Sequence, residues 1–284
     1  MNGLSCNSAL FAHLDVVECM GILADHGFQA IDVSLELEPP FLPVPKPHMY
    51  VDADAAERAR VARGARAAGL GFGTCNAHTN LIDGDPEARA RNLDFVLDGM
   101  RLAGDLGCHY VITGGGMKNM YGREHTYWQR LLDALAVILP AGEELGVTLL
   151  LECASLPGCL VHDLAGMRRL LAEDGMDSLQ VLFDPAHYLV RGDDVTAAYR
   201  ELAPRVRHIH AKDALGRVED FEFPPLGEGE IDFASLMQAV RETGFAGYVA
   251  LEYEGFAWGH TPDPLRILRE GRDFLLAHLE AAAA

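Results

Sequence analysis

Eight short strand-like runs alternate with helix-like stretches along this chain, and little sequence is left over between them. The runs cover residues 2–9, 29–36, 70–77, 109–114, 147–153, 179–184, 206–212 and 247–253. Between two of them, Leu93, Val96, Leu97, Met100, Ala103 and Leu106 recur at the three-four spacing of a helix with one buried face, over 88–106. Trp128, Leu131, Leu132, Leu135, Ile138 and Leu139 do the same over 126–145. Asp85-Pro86 and Asp263-Pro264 read as helix starts, a capping carboxylate followed by proline at the first helical position. Gly69, Gly107, Gly146 and Gly244 each fall between a helix and the next strand, where C-terminal caps belong. Repeated βα units build a parallel sheet, and eight of them predict a closed α/β architecture, the (β/α)₈ TIM barrel. Such barrels take ~250 residues as one domain, so the 284 residues are read as a single domain, 1–284. An open doubly wound sheet is the alternative, but the Gly-x-Gly-x-x-Gly turn it would carry after the first strand is missing.

The main interruption is proline-rich, Pro39 to Pro47, following the second strand. Proline continues neither sheet nor helix, so this stretch is expected as an extended loop on the active-site face: a lid, a docking edge, or an inert connector. The tail Ala281–Ala284 reads as a fraying helix end.

Charge and cysteine usage narrow the partners. With 23 basic and 42 acidic residues the formal net charge is −19, which repels phosphate backbones and argues against nucleic acid. No apolar run approaches the ~20 residues of a membrane span, and MNGLSCNSALF has no basic leader region. The six cysteines show no Cys-x-x-Cys spacing and read as free thiols of a reducing cytoplasm.

Four polar residues close four of the runs: Glu152 in VTLLLECAS, Asp184 in LQVLFDPAH, His210 in VRHIHAKDA and Glu252 in YVALEYEGF. A carboxylate at the end of a buried strand is costly to desolvate without a counter-charge, and a divalent cation is the usual one. Three carboxylates and an imidazole suit Mn²⁺ first, with Mg²⁺ or Co²⁺ as alternatives, better than a structural Zn²⁺. Successive spacings of 32, 26 and 42 residues lie near the ~30-residue βα repeat, so the four fall on neighbouring strands five to eight. A barrel delivers strand ends to one rim, where active sites of this fold sit. A metal chelated by adjacent carbonyl and hydroxyl oxygens acidifies the C–H between them. Glu152 and Glu252, separated by two strands, would then bracket a small substrate as acid and base.

These motifs, with PLGEGEIDF, resemble the sugar phosphate isomerase/epimerase superfamily with its xylose isomerase-like barrel. That superfamily includes ketose 3-epimerases, hydroxypyruvate isomerases and inosose dehydratases. The resemblance covers essentially the whole chain and is most specific from Val147 to Gly255. It implies that Glu152, Asp184, His210 and Glu252 are metal ligands, with both glutamates also serving in proton transfer. It matches His187 and Arg217 to positions that hold substrate oxygens, and His78 to a histidine at the end of the third strand. It also implies a small carbohydrate as substrate, and pairing of helix faces with further copies or a partner subunit, although no helix here shows which face pairs.

Several residues carry two readings. His208 and Lys212 share the facing of His210 by strand alternation. His208 lies deeper, as a supporting or core-layer residue; Lys212 polarises a carbonyl or pairs with a rim carboxylate. Asp213 holds the following loop or touches substrate. Glu254 binds a hydroxyl or is solvated. Phe256 and Trp258 stack on a ring or plug the barrel mouth. Two reactions share the first proton abstraction: isomerisation or epimerisation of a keto-sugar, and β-elimination from an inosose or a 3-keto-glycoside, C-glycosides included. In the second, His187, Lys212 or His78 would protonate the leaving group.

Overall fold

The computed structural model describes residues 1–36, 48–119 and 122–281. The proline-rich loop Pro39 to Pro47 and the last three alanines of the tail lie outside them.

The eight runs become β1 (Gly3–Asn7), β2 (Ala30–Glu36), β3 (Gly71–Asn76) and β4 (Tyr110–Gly114), then β5 (Thr148–Glu152), β6 (Gln180–Phe183), β7 (Val206–Ala211) and β8 (Tyr248–Leu251). Each pairs in parallel with the next, and β8 pairs with β1, so the sheet closes on itself. Closure removes both sheet edges, which an open parallel sheet would have had to cover. A two-residue strand, Met49–Tyr50, extends the far end of β2. A hairpin, Leu215–Arg217 with Asp220–Glu222, rises from the loop after β7.

The expected helices appear with the expected punctuation. α1 (Val16–Asp25) and α2 (Ala55–Ala68) precede α3 (Pro86–Leu106) and α4 (Glu124–Leu145). They are followed by α5 (Leu164–Leu171), α6 (Pro185–Arg191), α7 (Val195–Leu202), α8 (Phe233–Glu242) and α9 (Pro264–Ala281). Asp85 caps α3 by accepting from the Glu87 N–H at 3.0 Å. Asp263 accepts from the Leu265 N–H at the start of α9, also at 3.0 Å. Gly69, Gly107 and Gly146 end α2, α3 and α4 in the left-handed conformation that a side chain would oppose. The loop after β6 carries two helices, α6 and α7, a detail the alternation did not separate.

Apolar helix faces pack on the outward residues of the strands to form the main core. A second cluster, Ile112, Leu150 and Leu182, lies on inward positions of β4, β5 and β6. It plugs one side of the lumen. Two residues further along β5 and β6, on the same inward parity, stand Glu152 and Asp184. On that side of the barrel, Glu152 and Asp184 therefore stand over an apolar layer.

Among the described residues no helix is long and apolar enough to cross a membrane.

Candidate active site

Local structure aims each member of the quartet. Glu152 is the last residue of β5, and His210 is the last but one of β7. Glu252 follows β8 directly. Asp184 follows β6 and doubles as the cap of α6, its Oδ1 accepting from the Ala186 N–H at 2.9 Å. All four are buried, and donor atoms from each lie within 4.8 Å of one another. His210 Nδ1 faces both glutamates, 3.2 Å from Glu152 Oε1 and 3.1 Å from Glu252 Oε2.

A second ring of side chains holds the carboxylates. His78 Nε2 lies 2.6 Å from Glu152 Oε2, reaching it from the loop after β3. Asn7, at the end of β1, donates to Glu252 Oε1 at 2.6 Å. The Lys212 ammonium sits among Asp184 Oδ2 at 2.7 Å, Glu252 Oε2 at 3.0 Å and Glu254 Oε2 at 2.7 Å. His187 Nδ1 accepts from the Ser155 N–H at 3.2 Å, so the neutral ring carries its proton on Nε2. That Nε2 lies 3.3 Å from Lys212 Nζ.

Burial works against every charge in this cluster, and the neighbours decide which survive. Burial and the Glu252 and Glu152 carboxylates push Asp184 up to about 7, even with the Lys212 ammonium against it. Burial also opposes the Glu152 charge, but hydrogen bonds from His210 and His78 hold it well below the usual carboxylate range. Asp184, Glu252 and Glu254 override burial and keep Lys212 firmly protonated. Burial, then the Lys212 charge, lowers His187 to about 3, so its imidazole is neutral.

The residues present fit a divalent cation. One ammonium is spread over three carboxylates, and Asp184 Oδ2 has that charge beside it but no hydrogen-bond donor in proper geometry. The donor set is three carboxylates and one imidazole nitrogen, hard to borderline, as Mg²⁺, Mn²⁺, Co²⁺ or Zn²⁺ accept.

An open cavity stands over the cluster. Glu152 and Glu252 both line it, whereas Asp184 and His210 lie behind its wall. His78, His187, Lys212 and Glu254 also face it, and Phe223, Tyr253 and Phe256 form part of its apolar wall.

Two sequence candidates stand apart. Arg217 lies on the hairpin with its side chain 52% exposed and donates to Glu230 at 2.8 Å; it is not brought to the cavity. Its loop lets it reach a nearby carboxylate in solvent, which no periodicity could reveal. Trp258 packs edge-on against Phe221 and Phe223, with ring centroids 5.5 and 5.0 Å away, and buttresses the wall instead of lining it. Asp213 proves to be a loop holder: its carboxylate accepts from the N–H groups of Ala214, Gly227, Gly229 and Ile231.

Other participants carry little signal in the sequence. Asn7 and Ser155 belong to types too common at strand ends to stand out. Asp32 does carry one, as an acid inside the apolar run AIDVSLE, but it lies mid-strand and not at a strand end.

Comparison with known proteins agrees with this architecture. A family profile described as "Xylose isomerase-like TIM barrel" matches residues 20–278. The inosose dehydratase of Lacticaseibacillus casei is 27% identical over 142 residues, 45% of this chain and 47% of that protein. The fructoselysine 3-epimerase of Escherichia coli O157:H7 is 24% identical over 177 residues, 61% and 62% of the two chains. The chain thus spans less than two thirds of either relative. Among solved structures, an L-ribulose 3-epimerase superposes with a TM-score of 0.80 at 21% identity, covering 100% of this chain and 96% of its own. The IOLI protein with a binding zinc atom gives 0.77 at 16% identity, covering 98% of each chain. At these identities the structures establish likeness of fold.

Proposed function

The chain belongs to the xylose isomerase-like TIM-barrel family, and from that premise we propose that it is a divalent-metal-dependent isomerase or epimerase of a small keto-sugar or hydroxycarbonyl compound. The carrying observation is the pair of glutamates. Of the four quartet residues, Glu152 and Glu252 alone line the cavity, and they approach it from β5 and β8 on either side of β6 and β7.

Glu152, Asp184, His210 and Glu252 would hold the cation, with Mn²⁺ preferred by the oxygen-rich donor set. When bound, it supplies Lewis-acid polarisation of substrate oxygens, making the carbon between them acidic. One glutamate takes the proton from the carbon next to the carbonyl; the other faces the opposite side and returns one. His78 and Asn7 fix the two carboxylates, so neither has to reorganise while the proton moves. Lys212 and the Nε2–H of His187 are donors at the cavity wall for substrate oxygens. The six free, buried cysteines suit a reducing compartment such as the cytoplasm.

The same wall favours a second reading, β-elimination, in which the Lys212 ammonium gives its proton to a leaving group after the shared abstraction. The inosose dehydratase among the relatives is consistent with it.

The test is proton NMR in D₂O of Mg²⁺-loaded protein with a panel of ketoses, inososes and 3-keto-glycosides. Deuterium beside the carbonyl in an isomeric product supports isomerisation or epimerisation. Loss of water or an aglycone with formation of an enone supports elimination. No exchange with any member rejects this substrate class.

A further inference from the structure

Beneath the quartet lies a second buried cluster that the proton-transfer scheme does not use. Ser5 on β1, Asp32 on β2 and His208 on β7 are wholly buried inside the barrel. Ser5 Oγ donates to Asp32 Oδ1 at 2.6 Å, and His208 Nε2 meets Asp32 Oδ2 at 2.6 Å. The same Asp32 Oδ2 faces His210 Nε2 at 3.5 Å. That nitrogen has no hydrogen-bond partner within strict geometry among the described residues. Asp32 is the one carboxylate within 4 Å of it there.

The barrel is shaped to admit this carboxylate. Between Ile31 and Val33 the register of β2 against β3 slips, since Ile31 pairs with Phe72 and Val33 with Cys75. One extra residue of β3 therefore stands opposite Asp32, a bulge of the kind that re-aims side chains beside functional sites. At that bulge, a Cβ on Gly73 would meet Asp32 Oδ1 at 2.1 Å and Ser5 Oγ at 2.9 Å. Only glycine leaves room for the acid and its donor.

An imidazole that binds a cation through one nitrogen carries its proton on the other, and that proton needs a buried acceptor. His210 presents Nδ1 to Glu152 and Glu252, so Nε2 is the nitrogen that needs one. We propose that Asp32, oriented by Ser5 and His208, is a positioning residue for the metal centre: it accepts the Nε2 proton of His210 and keeps Nδ1 bare and aimed at the carboxylates. The inference rests on the reading of the quartet as a divalent-metal site. Asp32 touches neither substrate nor cation in this role; its effect passes through the tautomer and ring angle of His210.

The experiment measures Mn²⁺ binding to the full chain by electron paramagnetic resonance of free Mn²⁺, together with the visible spectrum of the Co²⁺-loaded protein. Wild type, Asp32→Asn and Ser5→Ala are compared, with circular dichroism in EDTA as the control for folding. Loss of a carboxylate behind a ligating histidine weakens metal binding about 10- to 100-fold, and that loss is expected for Asp32→Asn. Its Co²⁺ absorption bands should shift as the ring reorients. Ser5→Ala, which only frees the carboxylate to turn, should lose affinity in the same direction by a smaller factor. It carries the test if Asp32→Asn does not fold. Wild-type affinity and unchanged Co²⁺ bands in the folded variants would overturn the proposal. So would two ions per wild-type chain falling to one in Asp32→Asn, which would make Asp32 a ligand. Failure of the wild type to bind Mn²⁺ or Co²⁺ would overturn the metal reading itself, and this inference with it.

Discussion

Glu152 shows how much the place of one residue along a chain can say. Its position at the end of an apolar run marks a buried carboxylate in need of a counter-charge, and the fold sets it between His210 and His78. If it moves the proton, Glu152→Gln should lower kcat by roughly 10²- to 10⁴-fold. Far-UV circular dichroism should stay unchanged, because the amide keeps the shape. Steady-state turnover of a substrate found by NMR checks this; a rate near wild type would remove Glu152 from proton transfer. Gly73 tests the packing beneath. Gly73→Ala puts a methyl where Asp32 Oδ1 and Ser5 Oγ now stand. Overpacking of a filled interior costs about 1–3 kcal/mol, so urea denaturation should show a loss of that size. A change under about 0.5 kcal/mol, the usual scatter of neutral substitutions, would mean that the layer has slack. Asp32 itself is legible in principle by the argument that singles out Glu152. Its mid-strand position hides it from a rule that looks to strand ends.

At the scale of elements, punctuation carried most of the information. Asp85 and Asp263 cap the helices their Asp-Pro pairs announced, because the cap interaction is local and needs no partner from elsewhere. Strand bounds moved inward by a residue or two at most ends, and this matters at the site. Asp184 lies one residue past β6, where it also serves α6, and Glu252 lies one residue past β8 with its N–H still bonded to the Ala211 carbonyl of β7 at 3.2 Å. The turn that leads from α4 into β5 depends on Gly142, a close approach invisible to periodicity. A Cβ there would meet the Val147 carbonyl oxygen at 2.5 Å, and backbone cannot rotate away as a side chain can. Gly142→Ala should therefore destabilise by about 1–3 kcal/mol, read as a lower urea midpoint at constant m-value. An unchanged midpoint would show that the turn after α4 can open to admit the methyl.

For the whole molecule, a cation held by the quartet would link folding to metal binding. Buried carboxylates sharing one ammonium oppose the folded state, and a cation that binds only that state stabilises it by mass action. At a free Mn²⁺ concentration a hundredfold above its Kd, the gain is about 2.7 kcal/mol. The melting temperature should then rise by several degrees over protein in EDTA; His210→Ala should abolish the rise. Equal melting curves with and without Mn²⁺ would reject the site. Legible along the chain are the order of eight βα units, the rim to which Glu152, Asp184, His210 and Glu252 belong, and the chemistry of their donor set. Local periodicity and strand parity encode those, because they depend only on neighbours along the chain. Tertiary structure alone decided that His78 reaches Glu152 across the rim, that Lys212 serves three carboxylates, that Arg217 turns to Glu230, and that Asp32 stands behind His210. These meetings depend on the stagger of one strand against another and on a one-residue bulge in β3. Stagger is a property of barrel closure, and no single strand carries it.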